Sequence, residues 1–595
     1  MSRASGAFER VGLTRERRVR LLATLAVGAF LTAMLYYPVA SVLVEAVTVE
    51  GAPSLDPLVT VLTDPFYTGA FGSALADPSA IPAGLAAWAA NGFSWPGFGL
   101  VGFTAWQALL STVASVALGL PGAYVLARFE FRGRETVRSL TAVPFVLPSI
   151  MVAVGFVATF GIDGTLSDAF AAIGLPRFSL LFTLELVVLA HAFYNAPLVV
   201  RIVSAAAERL DTRTLEVARA SGAPRWRAAW DVLVPQLLPA LGTAALLTFV
   251  FTFQSFAIVL ALGGLQLATV EVWVFDLVQS FDLQEAAALA TVEAVVSLSL
   301  TYAYLRYEAR QARGGSGRTL DRLRFGAASA RTRLAVGAYG VVTLVVFALP
   351  LVSMVAESVV GPNGFTLRYY EFLVARQTTA ASFQTQPLTA VRNSLLFGFG
   401  TLALAVPLGV TVSLLTARGG RLVQVGGTLA FVPFAVSGVV LGLGLLQSFV
   451  FGTVLFGHRI VLTGAFAIVA AHAVGAYPFV TRSVSPLLAR LDPALPEVAR
   501  AAGASRLRAL WDVELPLVMG GVLAGAAFAF AISIGEFDAT VILAEGSESY
   551  TMPVAVERYL TERSLGPPSA MGTVLLVVTA ASFVVIDRLG GAFDG

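Results

Sequence analysis

The sequence predicts an all-α membrane protein that crosses the bilayer about twelve times, as two parallel repeats of six helices. Hydrophobic residues make up 57% of the 595 residues and charged residues only 13%, a composition typical of polytopic membrane proteins. A polar segment occurs twice, beginning at Leu210 and again at Leu491, a shift of 281 residues. A repeat of that length indicates a duplicated half and not a solenoid unit.

The composition also excludes several kinds of chemistry. The chain has no cysteine, which excludes disulfides and thiolate catalysis. All 39 basic residues are arginine, so the lysine that a Walker A loop needs is missing and this chain cannot hydrolyse ATP by that mechanism. Three histidines are too few for a His-rich metal centre. We therefore expect this chain to bind no metal and no cofactor of its own.

Apolar runs of bilayer length define the spans. The run from Leu21 to about Val47 is too long for a signal-peptide core, so it is interpreted as an uncleaved first helix. The stretch 48–100 is interpreted as an external loop. The other spans of the first half are predicted at about 102–127, 139–162, 179–203, 236–262 and 286–305. Those of the second half are predicted at about 334–360, 391–417, 423–450, 461–484, 517–543 and 568–588.

A basic, Gly/Ser-rich stretch separates the two sets of spans. It runs from Arg306 to Arg333 and contains few large apolar residues, which is typical of a linker. The predicted domains are therefore a first half, a cytoplasmic linker and a second half, at 1–305, 306–333 and 334–595.

The arginines predict how the protein lies in the cell membrane. The N-terminus, the loop around Arg132, both polar segments and the linker are rich in arginine, and even numbers of predicted spans separate them. The positive-inside rule then places both termini and both polar segments in the cytoplasm. A parallel repeat implies a pseudo-two-fold axis along the membrane normal and a pathway between the halves. Secondary transporters share this layout, so it does not identify the energy source.

We call the two polar segments the first island (210–235) and the second island (491–516). Each follows the pattern E-x-A-x-x-x-G and ends in a proline. Asp492 and Pro493 suit the start of a short helix, and Gly222 and Gly503 suit the left-handed turn that ends one. A single copy could be a simple connector between spans, whereas two copies favour a docking surface used twice. The matched residues are Glu216, Ala218, Gly222 and Pro235 in the first island and Glu497, Ala499, Gly503 and Pro516 in the second.

This spacing resembles the "EAA" loop of binding-protein-dependent ABC importer permeases. Valine replaces the second residue of the family pattern in both copies, as Val217 and Val498, and Val234 replaces the leucine before Pro235. The resemblance covers nearly the whole chain, as a fused pair of permeases of the type I importer fold. It implies that each island couples to one ABC ATPase, two copies in all, which use the ATP. It also implies an external substrate-binding protein; the other contact is the lipid bilayer, and no nucleic acid is expected.

Among fused permeases, the chain looks most like the thiamine and iron(III) branches. The stretch from Ser255 to Gly264, and the matched Ser533 to Phe537, resemble the thiamine type. Thiamine is therefore the first expected substrate and iron(III) the alternative.

Charged residues within spans are costly, so each is a candidate functional residue. A carboxylate would favour a cationic substrate, but it could instead pair with an arginine or cap a broken helix. His191 and His472 occupy matched positions and are expected to hydrogen-bond across spans. The candidate residues of the substrate pathway are Ser255, Glu536, Asp538, Glu185 and Glu293.

Two other classes of protein remain open on the sequence. An ion-coupled secondary transporter could use Glu293, Glu536 or Asp538 as coupling sites. A membrane scaffold or receptor would transport nothing. Two intact islands favour the ABC importer, because neither alternative needs paired ATPase docks.

Overall fold

A computed structural model describes most of the chain. The described residues are 15–69, 99–141, 147–210, 217–311, 322–361, 364–379, 384–416, 432–455, 457–561 and 564–591, with five isolated residues between 70 and 98.

The first half consists almost entirely of helices, two of them single turns of 3₁₀ type and two of π type. The helices are Arg15–Leu31, Thr32–Tyr36 (π), Tyr37–Glu45, Asp56–Thr63, Pro65–Thr68, Gly99–Arg128, Arg134–Leu140, Ser149–Phe160, Thr165–Ala172, Leu184–Glu208, Arg225–Ala228, Ala229–Leu233 (π), Val234–Phe253, Ala257–Gly263, Gly264–Leu267 (3₁₀), Val270–Gln279, Leu283–Gln311 and Phe325–Ala327 (3₁₀).

The second half repeats this organisation, again with short π and 3₁₀ turns between longer helices. The helices are Ala330–Val359, Arg368–Thr379, Pro387–Thr416, Val432–Ala435 (3₁₀), Gly438–Leu445, Leu446–Val450 (π), Ala465–Arg490, Ala494–Ala501, Arg506–Ala509, Leu510–Glu514 (π), Leu515–Leu517, Met519–Gly535, Asp538–Leu543, Met552–Leu560 and Gly566–Gly591.

The prediction of an all-α polytopic membrane protein is confirmed. Among the described residues, nine helices are long and apolar enough to span a membrane, or up to eleven if each of two bent pairs counts as one span. Eight of the nine lie in the first eight predicted spans and the ninth in the tenth, 461–484. The predicted ninth span, 423–450, is represented by the short apolar helix Gly438–Val450, and 417–431 lie outside the described residues.

Two predicted spans are wrong in one respect, because each is a broken helix. The span predicted at 236–262 ends at Phe253, and a short helix begins at Ala257. The span predicted at 517–543 ends at Gly535, and a short helix begins at Asp538. The two breaks coincide when the halves are superimposed by the 281-residue shift. Hydropathy continues across both breaks, so the sequence pattern did not reveal them.

Within the described ranges, four pairs of very short strands connect elements of the fold. Three are antiparallel hairpins, and the fourth pairs residues far apart in the chain in a parallel sense. They are Thr48–Val49 with Ala52–Pro53, Phe129–Glu130 with Leu323–Arg324 (parallel), Val360–Gly361 with Gly364–Phe365 and Thr453–Leu455 with His458–Ile460.

The predicted linker, 306–333, is not featureless at its ends. The preceding helix continues to Gln311 and the following helix begins at Ala330. The pairing of Leu323–Arg324 with Phe129–Glu130 orders a further part of it. Residues 312–321 lie outside the described residues.

The helices group into two compact units that do not follow chain order. We call Glu45–Phe372 with Val556–Thr573 the N-terminal unit, and Leu373–Ala555 with Met1–Val44 and Val574–Gly595 the C-terminal unit. The first membrane helix therefore groups with the second set of spans. Its Leu31 and Leu35 are buried in two apolar clusters of the C-terminal unit.

Close helix packing in the C-terminal unit depends on small residues. A Cβ atom placed on Gly409 would lie 2.6 Å from the Cβ atom of Val480 on the helix Ala465–Arg490. Helix pairs in membranes associate through such contacts, because lipid gives no hydrophobic driving force between helices. The N-terminal unit has a corresponding packed core, in which Gly99–Arg128 lies along Leu184–Glu208 and Ala123, Val199 and Val203 are buried together.

Candidate functional sites: two polar islands and two histidine clusters

The second island begins with a capped amphipathic helix. Oδ1 of Asp492 accepts a hydrogen bond from the backbone N–H of Ala494 at 2.9 Å, which confirms the predicted cap. The helix Ala494–Ala501 has no buried residue, and Glu497 on it is exposed. The matched residues of the first island, from Asp211 to Glu216, lie outside the described residues.

Both islands end this helix with the same left-handed glycine. Gly222 has a φ of +90° and Gly503 a φ of +95°, which confirms the predicted turn. Ala223 donates to the carbonyl of Ala218 at 3.1 Å, and Ala504 donates to that of Ala499 at 3.0 Å. A backbone N–H that donates to the carbonyl five residues earlier is characteristic of a Schellman motif. The motif satisfies carbonyls that have no partner within the helix at its C-terminal end. A Cβ on either glycine would meet nothing within 4 Å, so backbone conformation alone selects glycine.

A turn of π-helix follows in each island, at Ala229–Leu233 and at Leu510–Glu514. Each turn comes directly before the helix that holds Pro235 or Pro516. Proline has no N–H to donate to the carbonyl four residues back, and its ring clashes with that carbonyl. A wider turn removes the clash. Single π turns are frequent at functional sites, and sequence reasoning did not predict these two.

The islands expose large apolar side chains at matched positions. Trp230 is 68% exposed and its match Trp511 is 63% exposed. Val217 and Val498 are matched and exposed in the same way. Exposed apolar patches rimmed by polar residues mark interaction surfaces, and arginines stand near these side chains in the sequence of both islands.

The C-terminal unit contains a buried hydrogen-bonded cluster around His472. Nδ1 of His472 lies 2.7 Å from Oγ of Ser533, which in turn lies 3.0 Å from Oγ1 of Thr401. Nε2 lies 2.8 Å from Oγ1 of Thr540 and 3.1 Å from Oε2 of Glu536. The cluster joins three long helices at the point where the predicted eleventh span is broken.

Glu536 lies in the break, two residues before the helix that begins at Asp538. Its Oε1 accepts from the N–H of Ala539 at 2.7 Å and its Oε2 from the N–H of Thr540 at 3.1 Å. Oε2 is also bonded to the hydroxyl of Thr540. Carboxylates are favoured at helix N-termini because they satisfy open N–H groups there. Glu536 therefore has a structural role as a helix cap, one of the two interpretations that the sequence left open.

The N-terminal unit has a matching cluster around His191. Its Nδ1 lies 3.0 Å from Oγ of Ser111 and its Nε2 lies 2.8 Å from Oγ of Ser255. Ser255 occupies the position that Glu536 has in the other half, so this cluster carries no acid. The expectation that both histidines bond across spans is confirmed.

A cavity of about 140 Å³ lies beside the His472 cluster. The residues around it include Glu536, His472 and Ser437, and the rest are apolar or glycine. Asp538 lies next to this wall, since a Cβ on Gly438 would be 2.7 Å from the Cβ of Asp538 and 3.4 Å from Oε1 of Glu536. None of the described residues that line it is an arginine. The cavity thus presents a carboxylate within an otherwise apolar wall.

The other candidates, Ser255, Glu185 and Glu293, all belong to the N-terminal unit. Glu185 is exposed in the first turn of the helix Leu184–Glu208, where the helix dipole stabilises it. Glu293 is buried, and its Oε1 accepts from Ser297 at 3.2 Å. Sequence reasoning missed Thr540, Thr401 and Gly438, because their roles depend on contacts between segments far apart in the chain.

Two islands, two histidine clusters and repeated spans define a duplicated membrane transport component. Residues 115–312 and 405–594 each match the family described as "Binding-protein-dependent transport system inner membrane component", and the chain belongs to this family. It is an ABC importer permease with two fused halves, an integral membrane protein of a non-catalytic class.

Three relatives illustrate the range of this similarity. The chain is 26% identical over 475 residues, 76% of this chain and 80% of the relative, to "Probable ABC transporter permease protein y4fN" of Sinorhizobium fredii. It is 25% identical over 506 residues, which are 83% of this chain and 89% of the relative, to "Thiamine transport system permease protein ThiP" of Escherichia coli. It is 33% identical over 211 residues, which are 35% of this chain and 92% of the relative, to "Molybdenum transport system permease protein ModB" of Azotobacter vinelandii.

Proposed function

We propose that this permease imports a small organic cation, with thiamine as the first candidate. The observation that carries the proposal is the carboxylate of Glu536 at the wall of a cavity that has no arginine. Similarity to permeases named for thiamine transport extends over both halves. Similarity to the permease named for molybdenum transport covers 211 residues, 35% of this chain. Iron(III), also a cation, is the second candidate.

The size of the cavity sets what it holds in this conformation. A cavity of about 150 Å³ accommodates a benzene ring, and pockets for drug-sized ligands are several times larger. The cavity of about 140 Å³ therefore has room for one ring of a substrate. Passage of a whole molecule requires the helices around the break to move, and broken helices are where transporters commonly place such sites.

The islands are proposed as the docks for two copies of a separate ABC ATPase, one on each island. Exposed apolar side chains and a left-handed glycine recur at matched positions, so two identical partners can bind two alike surfaces. The ATPases would use the ATP, and this chain would bind no cofactor. An external binding protein would deliver the substrate to the opposite face, with both termini of this chain in the cytoplasm.

Reconstitution into lipid vesicles tests this proposal. Vesicles that contain the chain, its ATPase and a thiamine-loaded binding protein should take up labelled thiamine only with ATP. Uptake that needs no ATPase and follows a proton or sodium gradient would instead show an ion-coupled secondary transporter. ATP-driven uptake of iron(III) but not of thiamine would change the substrate and leave the importer class intact.

A further inference from the structure

One carboxylate in the N-terminal unit contacts three arginines. Glu208 is the last residue of the helix that leads into the first island. Its Oε1 accepts from Nη2 of Arg134 and, at 3.3 Å, from Nη2 of Arg322. Its Oε2 lies 3.6 Å from Nη1 of Arg138. These arginines come from two separate parts of the chain, the loop after the second span and the end of the linker.

The end of the linker is attached at the same place by its backbone. Leu323 and Arg324 pair in parallel with Phe129 and Glu130. The rings of Phe129 and Phe325 meet edge to face, with centroids 5.8 Å apart. We call residues 322–325 the linker strap. A strand pair and an aromatic contact hold it against Phe129–Glu130, and an ion pair holds it to Glu208 at the end of the helix that precedes the first island.

Arg134 explains why Glu208 is needed whether or not the strap is bound. Its side chain is only 5% exposed, and Nε donates to the carbonyl of Leu126 at 2.9 Å. A buried guanidinium without a counter-charge is strongly destabilising. Arg322 is different, because its side chain is 38% exposed and removing it leaves the buried pair intact.

The second half differs from the first at the central residue of this arrangement. Ala489 stands at the position that matches Glu208 under the 281-residue shift. The helix that leads into the second island therefore ends without a carboxylate at that point. Within the described part of the chain, an ion cluster of this kind is observed beside the first island.

We propose that the linker strap positions the first island, with Arg322 acting through Glu208, so that the linker controls how well this island couples to its partner ATPase. The inference rests on the proposed function of the islands. Arg322 is proposed as a positioning residue, since its ion pair is with Glu208 and it would act through that carboxylate. The linker then contributes to coupling in the first half and does not only connect the two halves.

Cross-linking tests whether the strap is bound. Glu130 and Arg324 are register partners, and neighbouring strands lie about 4.8 Å apart, within the Cα separation of a disulfide. The native chain has no cysteine, so Glu130→Cys with Arg324→Cys should form a single disulfide on mild oxidation, detected by peptide mass spectrometry. Glu130→Cys with Arg331→Cys, beyond the strand, is the control and should not. Equal disulfide yields for both pairs would show that the linker strap is not held against Phe129–Glu130.

Coupling is then measured as substrate taken up per ATP hydrolysed in the reconstituted complex. Exposed ion pairs contribute about 0.2–1 kcal/mol, so Arg322→Gln should lower this ratio by about 1.4- to fivefold. Arg324→Gln, on the same strand without an ion pair among the described residues, should leave the ratio unchanged. Arg322→Lys keeps the charge and should restore most of it.

The possible failures are distinguishable. If the wild-type complex shows substrate-stimulated ATP hydrolysis and Arg322→Gln behaves as Arg324→Gln does, the strap plays no part in coupling and this inference is wrong. If the wild-type complex shows no such stimulation, the proposed function of the islands is wrong, and this inference falls with it.

Discussion

Nε2 of His472 lies 3.1 Å from Oε2 of Glu536, inside the break of the eleventh span. An ionised carboxylate only accepts hydrogen bonds, so with Glu536 ionised the proton of the imidazole is on Nε2. Nδ1 then accepts from Ser533, which accepts from Thr401. Hydrogen bonds thus run in one direction from a neighbouring helix to the carboxylate at the cavity wall. The hydrogen bond from His472 therefore holds the carboxylate of Glu536 in position at the cavity wall.

The charge of Glu536 can be removed without removing its helix cap. In Glu536→Gln the amide oxygen can still accept from the N–H of Ala539. Hydrogen bonds to charged groups contribute about 1.5–3 kcal/mol, so uptake of a cationic substrate should fall by roughly tenfold or more. Labelled uptake and co-purification of the ATPase are measured together, and co-purification should not change. Glu185→Gln, at an exposed helix start, is the control and should behave as wild type.

Normal uptake in Glu536→Gln would show that this carboxylate serves only as a cap. The cation proposal would then lose the observation that carries it.

His472 should matter for stability as well as for transport. Replacing it with alanine removes its contacts with Ser533, Thr540 and Glu536 in a buried site, and a hydrogen bond to a charged group contributes about 1.5–3 kcal/mol. Thermal unfolding of the purified protein should therefore occur at a clearly lower temperature. His458→Ala, on an exposed strand, is the matched control. Equal unfolding temperatures for the two variants would contradict the described cluster.

Gly438 should limit what passes the cavity. Its added Cβ would lie 2.7 Å from the Cβ of Asp538, a distance that forces the two segments apart. Gly438→Ala should therefore reduce uptake while ATPase binding persists. Gly337→Ala, where a Cβ meets nothing within 4 Å, should have no effect. Full uptake in Gly438→Ala would mean that substrate does not pass beside this wall.

The proposed orientation has a direct chemical test. Positive-inside reasoning places the linker in the cytoplasm. Ser316, which lies outside the described residues, is the labelling position, and Ser316→Cys would be the single cysteine of the chain. It should not react with an impermeant thiol reagent in intact cells and should react after permeabilisation. Labelling in intact cells would overturn the twelve-span orientation.

Local signals in the sequence predicted the islands well. The glycine that ends the pattern E-x-A-x-x-x-G in each island predicted the left-handed helix ends at Gly222 and Gly503, because few other residues tolerate that conformation. Asp492 predicted a helix cap, because its side-chain oxygen can accept a hydrogen bond from a backbone N–H at the start of the helix. The matched histidines predicted bonds across spans, since a lone buried imidazole needs partners.

Features that depend on distant segments could not be predicted in this way. The break at Glu536 lies within an apolar run, so hydropathy indicates one helix where the side chain starts a second. The grouping of Leu31 and Leu35 with the second set of spans depends on packing against residues several hundred positions away. The pairing of Leu323 with Phe129 is likewise invisible to any local pattern.

The proposed coupling through the islands depends on two glycines with almost identical backbone conformations. Forcing a branched side chain into the left-handed region costs roughly 1 kcal/mol or more. Because no atom lies within 4 Å of an added Cβ, Gly222→Val and Gly503→Val should disturb only the turn. Asparagine tolerates this conformation, so Gly222→Asn and Gly503→Asn are controls that should keep most of the activity.

Substrate-stimulated ATP hydrolysis by the reconstituted complex tests the central claim most directly. We expect Gly222→Val or Gly503→Val alone to lower the stimulation, because the two halves share one transport cycle. The double variant should abolish stimulation and uptake while the membrane spans remain folded. Full stimulation and full uptake in the double variant would contradict the account, because the islands would then be connectors and not docks for the ATPase.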